Sequence, residues 1–320
     1  MALSIGVIGH TGFVGSELLR SLPNAHGFNS KNVTDAEGAR FNILYCAAAP
    51  GSMFQANKHP DRDAERIQAL IASLKNMRAE QFVLISTIAV LERFDGGYTE
   101  ADCVYQDIVP YGSNRRRLEE FCQAHFPRCL IVRLPALFGT GLAKNFIFDL
   151  LNPMPTMLTA ATIEILRGGL PPPLRHLVSK IYNPDSKLGM EVIDRVALAA
   201  HPMRAALEVE AGGLGVNAVM FHNRKTTYQF YELACLANDI ELAREAELYL
   251  LHLAPAPLQA AAIYSTLIGS EMPETNAPVH FEDMRTCRAA LWGSEGPYQK
   301  DGVAVLTKLE AFFRQQRQVA

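Results

Sequence analysis

The chain has 320 residues, of which 49% are hydrophobic and 20% charged, so it folds rather than staying disordered and has room for one large domain or two modest ones. A net charge of −3 gives no basic field for nucleic acid, and no apolar run reaches the roughly 18 residues that span a bilayer. Six cysteines without a Cys-x-x-Cys pair, nine histidines without ligand spacing and a start unlike a signal peptide lead us to expect a cytoplasmic protein with no metal site and no membrane.

Strand-like and helix-like segments alternate in the first half. Ile5 to Ile8 is a short apolar strand. Ser16 to Leu22 reads as a helix stopped by Pro23, and a second strand is expected near His26 to Ser30. Asn42 to Ala48 is a buried strand. Ile67, Leu70, Ile71 and Leu74 stand at helical spacing in Asp61 to Met77. Gln81 to Thr87 and Cys129 to Leu134 are further strands, with a helix over Arg115 to His125 between them. Such alternation predicts right-handed crossovers and a doubly wound parallel sheet covered on both faces.

The pattern changes after about residue 140, where Pro153, Pro155 and Pro171 to Pro173 and several glycines interrupt the chain. Two strand-plus-helix units are expected at Val216 to Phe221 and Leu248 to Leu253, with a helix over Tyr228 to Ala243 between them. Val303 to Gln315 is a last amphipathic helix. The expected division is a dinucleotide-binding domain over 1–142 plus about 216–255. A smaller lobe covers about 143–215 and 256–320.

Three signals carry chemistry. Gly9-His10-Thr11-Gly12-Phe13-Val14-Gly15 lies between the first strand and the first helix. A tight turn there needs residues without a Cβ, so that backbone N–H groups can approach a pyrophosphate. Ser86 and Thr87 end the third clear strand, where side chains meet a ligand at the carboxyl edge of a sheet. Tyr111 and Arg115 share a helix face four residues apart, and a tyrosine acid–base needs a nearby cation to favour its phenolate. With a cationic ligand bound beside it, Arg115 and that ligand together are expected to hold Tyr111 below the ordinary value of about 10.

These residues, with Ala47-Ala48-Ala49-Pro50, Glu119 and Arg133-Leu134-Pro135-Ala-Leu-Phe-Gly139, make the chain resemble the extended short-chain dehydrogenase/reductase family of nucleotide-sugar epimerases, dehydratases and reductases. The resemblance covers roughly residues 3 to 142. It implies a Rossmann-type domain with a smaller, mostly helical substrate lobe. It also implies a catalytic set of Thr87, Tyr111 and Arg115, the last standing where the family usually has lysine. The cofactor would be NAD or NADP, held by Gly9, Thr11, Gly12, Phe13, Val14, Gly15, Asn29, Ser30, Lys31, Ala47, Ala48, Ala49, Tyr111, Arg115, Leu134 and Pro135. The absence of an acid among Asn29, Ser30 and Lys31 tilts the choice toward NADP. Ser86, Lys144 and Asn145 would meet the substrate.

Against the family's subtypes, Ile88 and Ala89 lack the carboxylates of a 4,6-dehydratase. Ala89 and Asn145 lack the cysteine and histidine of a 3,5-epimerase. The resemblance thus implies an NAD(P)-dependent reductase or C4-epimerase of a nucleotide sugar, with room for a homodimer and with neither nucleic acid nor membrane as partner. The rival reading is a non-catalytic NAD(P)-binding sensor on the same fold, which Arg115 favours.

Overall fold

The structure, a computed structural model, describes residues 4–319. The chain forms two compact units: Met1–Leu142 with Thr227–Leu258 and Phe281–Lys308, and Ala143–Thr226 with Gln259–His280 and Leu309–Ala320.

The first unit opens with β1 (Ile5–Ile8), α1 (Phe13–Ser21), β2 (Ala25–Phe28), β3 (Arg40–Cys46), α2 (Met53–Lys58) and α3 (Pro60–Leu74). It continues through β4 (Arg78–Thr87), α4 (Pro110–His125), β5 (Cys129–Leu134) and β6 (Ala136–Phe138). The chain then builds the second unit's α5 (Phe146–Leu151), β7 (Met157–Leu158), α6 (Ala160–Gly169), α7 (Pro172–Ile181), β8 (Tyr182–Asp185), β9 (Met190–Ile193), α8 (Arg195–Ala199) and α9 (Arg204–Gly213). It returns for β10 (Thr227–Tyr228), β11 (Phe230–Glu232), α10 (Leu236–Glu245) and β12 (Leu250–His252), and ends with α11 (Ala260–Ile268) and α12 (Gly302–Val319).

The main sheet has six strands in the order β12-β5-β4-β3-β1-β2. Every pairing is parallel: Ile8 stands beside Phe28 and Cys46, Cys46 beside Leu84, Leu84 beside Ile131, and Ile131 beside Leu250. One face packs Leu44, Phe82 and Ile131 against α3 and α4 through Ile67, Leu74 and Leu118. The other packs Val7, Val83 and Val132 against α1 and α10 through Leu18, Leu236 and Ile240. This is a Rossmann-type doubly wound sheet. From β1 the chain steps to β2 on one side and later to β3 on the other. The strand order therefore reverses at β1 and β3, and a crevice opens beyond their carboxyl ends.

α3 buries Asp63, Ile67, Ile71 and Leu74 on one stripe. The buried face of α4 is polar in its first turns, with Asn114, Arg115 and Glu119, and apolar only at Leu118 and Cys122. A helix that turns charges inward needs partners there, and they are described below.

Two expected elements differ. Val216 to Phe221 is not a strand: Asn217 accepts a hydrogen bond from Val219 N at 2.9 Å and caps a single 3-10 turn. Tyr228 to Ala243 is not one helix, which starts only at Leu236. Its first part pairs with β6, Phe230 beside Ala136 and Glu232 beside Phe138. The buried Gln229 side chain donates to Pro255 O and Met284 O, both at 2.7 Å, and ties this segment into the fold as extended chain.

The second unit is mostly helical, around Leu158, Ile163, Leu166, Leu177, Ile181 and Leu207, with a small antiparallel sheet in the order β7-β9-β8. The proline cluster starts a helix rather than a loop, with Pro172 at the first position of α7. Among the described residues, no helix is long and apolar enough to cross a membrane.

Candidate active site

The turn after β1 is shaped by two glycines and left open by a third. Gly9 sits at φ +85°, and a Cβ there would lie 2.7 Å from the Ala47 backbone. A Cβ on Gly15 would lie 2.1 Å from Gly9 O, so the first turn of α1 passes directly over the strand end. Gly12 is different. It is the N-cap of α1, and the nearest atom to a Cβ there is Gly9 O at 3.4 Å, an ordinary contact. The fold therefore does not demand glycine at 12. The space before the first helical N–H groups would be filled only by a side chain or an anion. No side chain caps α1 and no acid stands in its first turn, so the cradle suits a pyrophosphate.

Ala47, Ala48 and Ala49 continue β3 into the same crevice, with Ala47 N donating to Ile8 O at 2.9 Å. Across β1, Asn29 follows β2. Its Nδ2 lies 3.1 Å from His10 Nε2, and its Oδ1 accepts from Lys31 N at 2.8 Å. Ser30 and Lys31 are exposed. Thr11 and Phe13 flank Gly12 on the turn, Val14 lies within α1, and Leu134 and Pro135 stand at the carboxyl end of β5.

At the end of β4, Thr87 Oγ1 accepts from Ala89 N at 3.2 Å and caps a short 3-10 turn over Ile88–Val90. α4 is pressed onto that turn: a Cβ on Gly112 would stand 2.0 Å from Ala89 O. This close approach brings the Tyr111 phenol within electrostatic reach of the Thr87 hydroxyl. Asn57 Oδ1 of α2 accepts from Tyr111 N at 3.1 Å.

Arg115 lies beneath the tyrosine, its guanidinium carbon 3.9 Å from the ring centroid. Its fork faces α3. Nη1 donates to Asp63 Oδ2 at 2.5 Å, Nη2 donates to Asp63 Oδ1 at 3.0 Å, and Nη2 also donates to Pro50 O. Nη1 reaches Tyr111 O at 3.2 Å, and Asn114 donates to Asp63 Oδ2 at 2.9 Å. Both charges are buried, with side-chain exposures of 3% and 5%. Burial pushes the Tyr111 phenol above the ordinary 10, Arg115 and the nearby Thr87 hydroxyl pull it down, and Asp63 pushes it up again, for a net rise.

Ser86 is one residue from Thr87 but points to the opposite face of the sheet. Its Oγ donates to Glu119 Oε1 at 2.5 Å. Arg133, beside it on β5, donates to the same carboxylate from Nε at 3.0 Å and from Nη2 at 2.7 Å. Arg133 Nη1 stands 3.2 Å from His252 Nε2 on β12, and burial holds that imidazole below its ordinary value. The structure thus brings Thr87, Tyr111 and Arg115 together and turns Ser86 into a buried network. In the second unit, Lys144 is exposed, and Asn145, at φ +106°, caps α5 by accepting from Phe148 N at 3.2 Å. Arg167 pairs with Glu164 at 2.7 Å, and Arg175 donates to Leu170 O at 3.1 Å.

Sequence reading missed Asp63. Its one signal is an acid at the start of an otherwise apolar helical stripe, 63-67-71-74, where a buried charge requires a partner.

The combination of a parallel sheet with its reversal at β1 and a glycine turn opening α1 defines a Rossmann-type fold. Solved structures share it over nearly the whole chain. One is a dTDP-4-dehydrorhamnose reductase from Bacillus anthracis in complex with NADP, with a TM-score of 0.61 at 15% identity, covering 98% of this chain and 99% of that one. Another is a variant of the UDP-glucuronic acid 4-epimerase from Bacillus cereus, in complex with NAD and a UDP-sugar analogue. Its TM-score is 0.62 at 12% identity, covering 99% and 100%. A third is a UDP-N-acetylglucosamine 4-epimerase from Methanobrevibacter ruminantium, with a TM-score of 0.60 at 13% identity, covering 99% of each. No family model and no curated protein sequence matches the chain.

Proposed function

We propose that the protein is an NAD(P)-dependent oxidoreductase or C4-epimerase of a nucleotide-activated sugar. The observation that carries this reading is the placement of Tyr111, stacked on the Arg115 guanidinium at the start of α4, which packs on the turn after Thr87 at the carboxyl end of β4, the same sheet edge as the glycine turn. Gly9 and Gly15 shape the cradle, and the N–H groups beside Gly12, Phe13 and Val14 receive the pyrophosphate. Ala47 to Ala49 and Leu134 with Pro135 line the strand ends where the rest of the dinucleotide lies. Asn29, Ser30 and Lys31 present no carboxylate and favour NADP. A bound nicotinamide supplies or accepts the hydride. Tyr111 gives or takes the hydroxyl proton of the sugar carbon, and Thr87 orients it. The fold shared with dinucleotide-bound nucleotide-sugar enzymes supports the reading.

The non-catalytic alternative rests on one observation: Arg115, standing where the resembling family usually has lysine, is committed to Asp63 and Pro50. A fluorescence titration with NADPH and NADH tests the shared part of both readings. Gly12→Val should fold as the wild type does and lose dinucleotide affinity, because its Cβ meets no protein atom closer than 3.4 Å. Unchanged affinity in that variant would refute the cradle. A screen of nucleotide sugars for turnover separates enzyme from sensor.

A further inference from the structure

Asp63 is the buried charge that the proposed chemistry leaves unused. It comes from α3, is 5% exposed, and takes both terminal nitrogens of Arg115. Asn114 donates to it as well, so three N–H donors from α4 converge on one carboxylate. A bidentate fork fixes the plane of a guanidinium, and this plane lies under the Tyr111 ring. The charged and titratable groups facing Tyr111 are Arg115 on its own helix and Asp63 on α3. The polar neighbours are Thr87 at the end of β4 and Asn57 on α2.

We propose that Asp63 is a positioning residue for Tyr111: its carboxylate holds the Arg115 guanidinium beneath the phenol and cancels its charge there, so that the proton of Tyr111 answers to the ion pair as a unit and not to a lone cation. The proposal rests on the reading of Tyr111 as the acid–base. It gives Arg115 a different task from a ribose-binding lysine. The arginine carries the tyrosine, and the aspartate decides how much of the arginine's charge the tyrosine feels. Nothing in this step needs Arg115 to lose a proton, which guanidinium does not do in proteins.

The test is an ultraviolet pH titration of the full-length protein, read as the difference from the same background carrying Tyr111→Phe. Asp63→Asn keeps the shape and unmasks the guanidinium. It should bring the Tyr111 phenolate in about one pH unit lower, the scale of an opposite charge within hydrogen-bonding range. Asp63→Asn together with Arg115→Met removes both charges and should titrate close to wild type, whereas Arg115→Met alone should titrate higher. An unmoved Tyr111 in Asp63→Asn overturns the proposal. If Asp63→Asn does not fold, a double variant that titrates where Arg115→Met does overturns it equally. The titration needs no turnover. Loss of the catalytic reading would show as absent hydride transfer with the shift intact, and loss of this proposal as an absent shift with turnover intact.

Discussion

α4 carries two buried ion pairs one helical turn apart, and they are built to opposite ends. Glu119 meets Arg133 of β5 with 0% and 1% side-chain exposure. Its carboxylate is saturated, by Ser86, by two Arg133 nitrogens, and by Arg116 at 3.1 Å. Arg133 continues to His252, whose Nδ1 lies 2.9 Å from Arg285 O, and Glu100 accepts from His252 N at 2.8 Å. This network laces β4, β5 and β12 to the loops beyond them. The Arg115–Asp63 pair is equally buried but not saturated: Arg115 Nε has no hydrogen-bond partner among the described residues. It also stacks on the ring of Tyr111 at 3.9 Å, whereas Arg133 of the other pair stands farther, 5.2 Å, from the ring of Tyr105, which Arg116 covers at 3.8 Å. A saturated pair stiffens a fold. A pair that leaves a donor unused and touches a titrating ring is placed to adjust it.

The comparison breaks most visibly at the saturated pair. Glu119→Ala leaves the Arg133 charge buried without its carboxylate and should cost about 3–5 kcal/mol of stability. Urea denaturation measures this, and a loss below about 1 kcal/mol would show that water replaces Glu119. At the other pair, Arg115→Lys keeps the charge but not the fork, and a lysine cannot serve Asp63 and Pro50 in two planar bonds. We expect about 1–2 kcal/mol of destabilisation with dinucleotide affinity retained, the scale of one or two lost charge-assisted hydrogen bonds. Affinity falling with the fork would return a cofactor contact to Arg115.

Gly15→Ala sharpens the contrast with Gly12. It should destabilise the fold by about 1–3 kcal/mol through overpacking onto Gly9 O, and any loss of dinucleotide affinity should follow that distortion. The smallest effect is alkaline. Burial raises the phenols of Tyr111 and Tyr231, the second well above 10 beside Asp239. Groups with a raised folded value contribute stability that is full below about pH 10, and it is lost as pH climbs through the folded value. Melting temperature should therefore fall on the alkaline side of pH 10, less steeply in Tyr231→Phe measured against its own neutral value.

The order of the main strands from β1 to β5 was legible because most of them carry a short apolar run and the helices between them carry their own punctuation. The glycine turn was legible for the same reason, since its spacing depends on backbone contact alone. Tyr111 and Thr87 could be picked out one by one. Their meeting depends on Gly112 packing against Ala89 O, a contact set by tertiary approach. Asp63 was not legible, because the donors it meets lie 51 and 52 residues away and nothing local marks the pair. Tyr228 and the strand Phe230–Glu232 were read as helix for a similar reason. Their pattern suits either form, and pairing with β6 decides for the second of them.

In the proposed reaction Tyr111 moves a proton while a nicotinamide moves a hydride on a nucleotide sugar. The direct measurement is the absorbance of NADPH, and separately of NAD, with a panel of UDP-, GDP-, CDP- and dTDP-linked sugars and their 4-keto forms, for wild type and Tyr111→Phe. The proposed reaction predicts turnover by the wild type on at least one sugar. It also predicts a drop of about 10²-fold or more in Tyr111→Phe at unchanged dinucleotide affinity. Dinucleotide binding without turnover on any of them, or equal turnover in Tyr111→Phe, would contradict it.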